Sequence, residues 1–162
     1  MSTMPDDNTT LLSAARDAGK RAYCPYSQFP VGAAVETDLG RFTGCNIENA
    51  SYGLAVCAER VALFSAIAAG ATRIDHLAVS CLHAGETDPP GSRMPCGACR
   101  QVITEFMLPD ATVTVDGAGV WRVADLLPRA FQLVSQPFLD AGSESVPSLH
   151  GAKTTDEMEH SL

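Results

Sequence analysis

Three cysteines and one glutamate stand in this sequence at spacings that can do chemistry. Cys57, Glu59 and Arg60 fall in the run CAER, and Cys96 and Cys99 in the run PCGACRQ. Cys96 and Cys99 are three apart at a predicted helix start, which puts both sulfurs on one side of the first turn. Cys57 opens another predicted helix. Helix N-termini carry partial positive charge and free N–H groups, which lower a thiol pKa and favour the thiolate that a metal needs. Three thiolates suit zinc, and a catalytic zinc takes three protein ligands and leaves its fourth tetrahedral position to water. The pKa of such a water falls to about 7. Glu59, two residues after Cys57, can face that water without being a ligand, which is the place of a proton shuttle. Arg60 can donate hydrogen bonds to the sulfurs and offset the negative charge of three thiolates around one zinc ion.

Each residue also has a plainer reading. Cys96-x-x-Cys99 alone fits a redox dithiol or half of a structural zinc site. Its pairing with Cys57-Ala-Glu59 points instead to an open, catalytic zinc. Arg60 reads as a solvated first-turn arginine, although a cation is unfavourable at a helix start. Cys24, Cys45 and Cys81 read as ordinary buried thiols. None of the four histidines sits at a ligand spacing from the cysteines.

The elements that must position these groups follow from periodicity. Leu11, Leu12, Ala15, Ala18 and Ala22 recur at helical spacing, which predicts an amphipathic helix over residues 10–23. CPYSQFP reads as a turn with two prolines, and VGAAVETDLGRFTGCNI as a hairpin turning at Asp38-Leu39-Gly40. CAERVALFSAIAAG predicts a helix ended by Gly70. It is apolar on nearly every side, so it is expected to be buried on more than one face or at a subunit contact. HLAVSCL predicts a buried strand and residues 96–106 a helix stopped before Pro109. ATVTVDGAGVWRV predicts two strands, and ADLLPRAF a short helix ending near Phe131. This alternation gives an α/β class with a mixed sheet covered by helices.

Length and composition set the frame. The 162 residues, 46% hydrophobic, favour one domain with a real core over a disordered chain. The expected organisation is a flexible N-terminus over residues 1–9, one catalytic domain over 10–138 and an acidic mobile tail over 139–162. The net charge of −8 is uneven. Residues 139–162 hold five acids and one lysine, and Asp6 and Asp7 add two acids, so residues 11–138 hold twelve acids against ten bases. No basic cluster stands out, which argues against a polynucleotide substrate and for a small, roughly neutral one. No apolar run is long enough to cross a membrane, and MSTMPDDNTT lacks the features of a signal peptide. The expectation is a cytoplasmic protein, in which six cysteines are thiols or metal ligands rather than disulfides.

The blocks YCPYSQFPVGAA, GCNIENASYGL, CAER, PCGACRQ and LLPRAF occur in this order. Together they resemble the small homotetrameric, zinc-dependent cytidine deaminases over roughly Leu11 to Phe131. The three-cysteine set with a non-ligand glutamate and P-C-x-x-C is also the general pattern of zinc deaminases. The resemblance implies a three-layer α-β-α sandwich around a mixed five-stranded sheet. It implies conversion of cytidine or deoxycytidine to uridine or deoxyuridine with release of ammonia, in pyrimidine salvage. It makes Cys57, Cys96 and Cys99 the zinc ligands and Glu59 the proton shuttle. By the same resemblance Asn46 and Glu48 hold the ribose hydroxyls, and Phe29 lies against the pyrimidine. Ala58 offers a backbone contact to the base, Tyr52 closes the pocket-forming stretch, and Phe131 comes from a neighbouring subunit. A carboxylate and an amide do suit a sugar diol, and an aromatic in a loop suits stacking on a flat ring. Met94 departs from the family, where a small polar residue more usually precedes PCGAC. Two rivals remain: a three-cysteine zinc deaminase of another cytosine nucleoside, and a structural zinc module closed by a fourth protein ligand.

Overall fold

The computed structural model describes residues 7–85, 87–133 and 137–140. The N-terminal segment expected over residues 1–9 lies outside them as far as residue 6, and the acidic tail from residue 141 onward. The first helix, α1, spans Asp7–Gly19 rather than residues 10–23. Leu11, Ala15 and Ala18 form its buried stripe. It stops at Gly19 because the next residues have other partners: Tyr23 N donates to the Asn46 carbonyl at 3.0 Å, and Glu48 N to the Tyr23 carbonyl at 2.8 Å.

The hairpin forms as expected from β1 (Val31–Thr37) and β2 (Gly40–Cys45). Gly40 takes φ +97° at the turn, and Thr37 Oγ1 closes it by donating to the Gly40 carbonyl at 2.7 Å. Helix α2 spans Ala58–Ala68, with Gly70 at φ +94° just past its end. Then come β3 (Ile74–Cys81), α3 (Gly97–Phe106), β4 (Thr112–Val115), β5 (Gly119–Arg122), α4 (Val123–Leu126) and α5 (Pro137–Asp140). The last predicted helix is cut short. Pro128 disfavours a helical Leu127, which sits at φ −142°, and Arg129 turns left-handed at φ +58°.

The strands form one mixed sheet in the order β2-β1-β3-β4-β5, parallel only between β3 and β4. Alternation along β1 splits the core into two layers. Ala34 faces α1 with Leu11, Ala15 and Ala78, whereas Ala33 and Val35 face the larger cluster under α2 and α3. Leu63, Leu77, Ile103 and Met107 are the largest side chains fully buried there, each contributing about 1.5–3 kcal/mol of burial. The arrangement is the three-layer sandwich. Within this chain α2 buries one face only, through Ala58, Glu59, Ala62, Leu63 and Ala66, and Phe64 remains 45% exposed.

Candidate active site

Local pairing places Cys57 before any ligand is considered. Ile47 and Val56 exchange both backbone hydrogen bonds at 2.9 Å, which fixes the residue ahead of Cys57 against the NIEN segment. The first turn of α2 then lies so close to β2 that a Cβ at Gly44 would fall 2.6 Å from the Ala58 carbonyl and 2.5 Å from Ala62 N. Cys57 and Cys96 are the N-cap residues of α2 and α3, and neither side chain caps its helix. Both sulfurs are therefore free to turn toward each other. Cys99, in the first turn of α3, is fully buried.

The three Sγ atoms converge, with Cys57 to Cys96 at 3.9 Å and Cys96 to Cys99 at 3.5 Å. Zn–S bonds of about 2.3 Å in a tetrahedron put sulfurs about 3.8 Å apart, so this donor set fits zinc. Among the described residues no other histidine, cysteine or acid joins the group. Cys24, Cys45 and Cys81 are free and half-buried, and Cys81 Sγ donates to the Arg93 carbonyl at 3.8 Å. The Cys57 thiol is drawn down to about 5, chiefly by a hydrogen bond from Cys99 and further by Arg60, against the cost of burial. Cys99, as the donor to Cys57, is pushed up. Arg60 Nη2 lies 3.8 Å from Cys57 Sγ and donates to the Ala55 carbonyl at 3.1 Å. Glu59 is 4% exposed, and burial pushes its carboxyl up to about 7.

A cleft of about 410 Å³ brings together Phe29, Asn46, Cys57, Ala58, Glu59 and Cys96. A carboxyl that can carry a proton near neutral pH thus shares a cleft with a metal-binding sulfur cluster and an aromatic wall. A larger cavity, about 480 Å³ between Asp38, Phe106 and Phe138, contains none of these groups. Against the family model for the cytidine and deoxycytidylate deaminase zinc-binding region, the chain matches over residues 5–115. The chain belongs to that deaminase family. It is 43% identical over 130 residues to the cytidine deaminase of Sporosarcina psychrophila, covering 77% of this chain and 91% of that protein. It is 43% identical over 141 residues to the cytidine deaminase of Mycobacterium tuberculosis, covering 83% and 97%. The crystal structure of the Burkholderia pseudomallei cytidine deaminase matches the fold with a TM-score of 0.65 at 46% identity, over 76% of this chain and 98% of that one. That of the Mycobacterium tuberculosis enzyme gives 0.67 at 38% identity, over 79% and 99%.

The other residues predicted for the site are placed less directly. Glu48 and Tyr52 line a neighbouring hollow with Tyr26, Asn49 and Ala55, joined to the main cleft through Ser27. Glu48 Oε2 accepts from Tyr26 N at 2.9 Å and Ser27 N at 3.2 Å. Hydrogen bonds from Ser27, its side chain first, hold the Glu48 carboxyl below its ordinary range. Asn46 Oδ1 accepts from Val31 N at 2.8 Å, and its Nδ2 donates to the Phe29 carbonyl at 3.0 Å. Phe131 stands outside the cleft, 70% exposed, with Gln101 Nε2 donating to its carbonyl at 2.9 Å.

Several lining residues escaped the motifs, among them Val79, Cys81, Ser92 and Arg93, while Met94, noted as a departure from the family, also lines the cleft. The signal for Val79 and Cys81 was available: they alternate at the C-terminal end of a buried strand beside a parallel neighbour. Arg93 offered only a lone cation shortly before Cys96. Arg100 was also missed; its Nε donates to the Pro95 carbonyl at 2.8 Å and its Nη1 to the Leu126 carbonyl at 3.0 Å, fastening α3 to α4.

Proposed function

We propose that this chain hydrolyses cytidine and deoxycytidine to uridine and deoxyuridine with release of ammonia, in pyrimidine salvage. The observation that carries the reading is Glu59, buried beside a three-sulfur cluster in one cleft with Phe29 and Asn46. Cys57, Cys96 and Cys99 would hold the metal, and zinc, when bound, supplies a water of lowered pKa at neutral pH. Glu59 takes one proton from the attacking water and gives it to N3 of the pyrimidine, then takes the second from the hydroxyl formed at C4 and gives it to the departing amino group. Its burial favours the protonated form that the second half of this task requires. Arg60 donates toward Cys57 and offsets the charge of the thiolates.

Substrate contacts follow from what each side chain has left to give. An amide has two N–H donors and two oxygen lone pairs, so Asn46 keeps one of each for a sugar hydroxyl. Glu48 keeps Oε1, and its ionised carboxylate is an acceptor for the ribose diol. Phe29 lies against the base and Ala58 offers it a backbone contact. Tyr52 closes the hollow beside Glu48. The exposure of Phe131, and of Phe64 on α2, supports assembly into a homotetramer in which a neighbour's Phe131 completes the cleft. The setting is cytoplasmic, the partner is a small nucleoside, and neither nucleic acid nor membrane is a partner. Among the described residues no helix is long and apolar enough to cross a membrane.

The deciding experiment follows the ultraviolet change as zinc-loaded protein meets cytidine, with Glu59→Ala beside it. Turnover by the natural chain, reduced at least about 10²-fold in the variant at equal zinc content, is expected. Near-equal rates would rule out the shuttle. No turnover with cytidine, but conversion in a panel of other cytosine nucleosides, would move the substrate and keep the chemistry.

A further inference from the structure

Of the three sulfurs, that of Cys96 depends most on the chain leading to it. Cys99 is enclosed by α3, and Cys57 is fixed by the Ile47–Val56 pairing and by Arg60. Cys96 is exposed, and its sulfur meets those of Cys57 and Cys99. Its approach runs through a short 3-10 turn, Pro90–Arg93, and then Met94 and Pro95.

Arg93 fastens that approach to the β4–β5 turn and to an earlier point of its own connection. Its Nη1 donates to the Asp116 carbonyl at 3.4 Å, and its Nη2 donates to the Gly85 carbonyl. Asp116 follows β4 directly and is itself held on β3, with its N–H donating to the Val79 carbonyl at 2.9 Å. The guanidinium sits against Gly117, where φ is +71° and a Cβ would fall 2.0 Å from Nη1. Arg93 thus joins the ends of β3 and β4 to the segment carrying Cys96.

Stability alone is a poor account of an arginine here. Among the described residues its buried Nε has no hydrogen-bond partner. The Asp116 carboxylate is already engaged by Arg16 Nε and Nη2, both at 2.7 Å, and by Ser80 Oγ at 2.7 Å. Among the described residues Arg93 forms no ion pair. A half-buried cation whose hydrogen bonds among the described residues go to carbonyls, with the Asp116 carboxylate acting on it only through space, is costly.

We propose that Arg93 is a positioning residue, a clamp from the β4–β5 turn that sets where Cys96 presents its sulfur. The proposal rests on the reading of Cys57, Cys96 and Cys99 as zinc ligands. It requires that loss of the clamp change zinc retention more than fold stability. Residues that orient metal ligands from behind typically change affinity or activity by about 10–100-fold when removed.

The test compares Arg93→Met, Arg93→Lys, Gly117→Asn and the double variant Arg93→Met/Gly117→Asn, all as zinc-loaded full chains. Readouts are the rate of zinc transfer to a chromogenic chelator, the melting temperature, and kcat and KM with cytidine. Arg93→Met is expected to release zinc about tenfold faster or more, with kcat reduced and KM and melting temperature little changed. Arg93→Lys restores part of the retention. Asparagine tolerates a positive φ better than most side chains, so Gly117→Asn displaces the guanidinium at the smallest backbone strain a side chain allows there. It should speed zinc release in the natural background and add little to Arg93→Met. Natural zinc release in Arg93→Met overturns the proposal. Should that variant fail to fold, natural zinc release in Gly117→Asn overturns it equally. Inactivity of the natural chain toward cytidine would sink the functional reading, while the zinc-release comparison would still decide this one.

Discussion

Arg60 reaches back along its own helix to Cys57, with Nη2 3.8 Å from Sγ, while the same nitrogen donates to the Ala55 carbonyl at 3.1 Å. A cation at a helix start opposes the helix dipole, and here the thiolate supplies the compensating charge. Arg60→Gln keeps a donor and removes the charge. It should lower zinc retention or turnover by about tenfold, measured by chelator competition and steady-state assay. Equal values in both would show that Arg60 is ordinary surface chemistry.

Asn46 spends one lone pair and one N–H on the Phe29–Val31 segment. Asn46→Ala therefore strands the Val31 N–H and the Phe29 carbonyl, at a cost of about 1–3 kcal/mol. If Asn46 also holds a sugar hydroxyl, KM for cytidine should rise in the same variant. Thermal melts and a KM determination separate the two effects: a stable variant with natural KM refutes both roles.

Gly44 marks the closest approach of β2 to α2 near the site. An alanine there would place Cβ 2.5 Å from Ala62 N and 2.6 Å from the Ala58 carbonyl, so the first turn of α2 must lift away. Overpacking of this kind costs about 1–3 kcal/mol, occasionally more. Because that turn begins at Cys57, zinc retention should fall along with stability. Gly44→Ala with an unchanged melting temperature would contradict the packing described.

Asp116 predicts a pH dependence. Arg16, the largest cause, and Ser80 hold its carboxyl below the ordinary value of 3.8, against the opposing effect of burial. A depressed folded pKa means a contribution fully present above the unfolded value and lost as pH falls through the folded one. Arg16 is 50% exposed, so the pair contributes at most about 1 kcal/mol. The melting-temperature gap between the natural chain and Asp116→Asn should be constant above about pH 5 and close below about pH 4. A gap that widens on acidification would reverse the assignment.

The candidate chemistry is legible in local spacing. Helix-start positions and a three-residue spacing fixed which sulfurs could converge, because those depend on local backbone geometry. The hairpin, the Gly70 stop and the α/β alternation were legible for the same reason. Tertiary structure decided what local rules cannot reach. It placed Glu48 and Tyr52 in a hollow beside the main cleft and left Phe131 outside it. It ended α1 at Gly19 because Tyr23 pairs with the chain around Ile47. It also brought Arg93 to Gly85 and Asp116, segments joined only where β3 and β4 end side by side. Spacing along the chain specifies a turn of helix; only closure of the sheet specifies which loops meet at its edge.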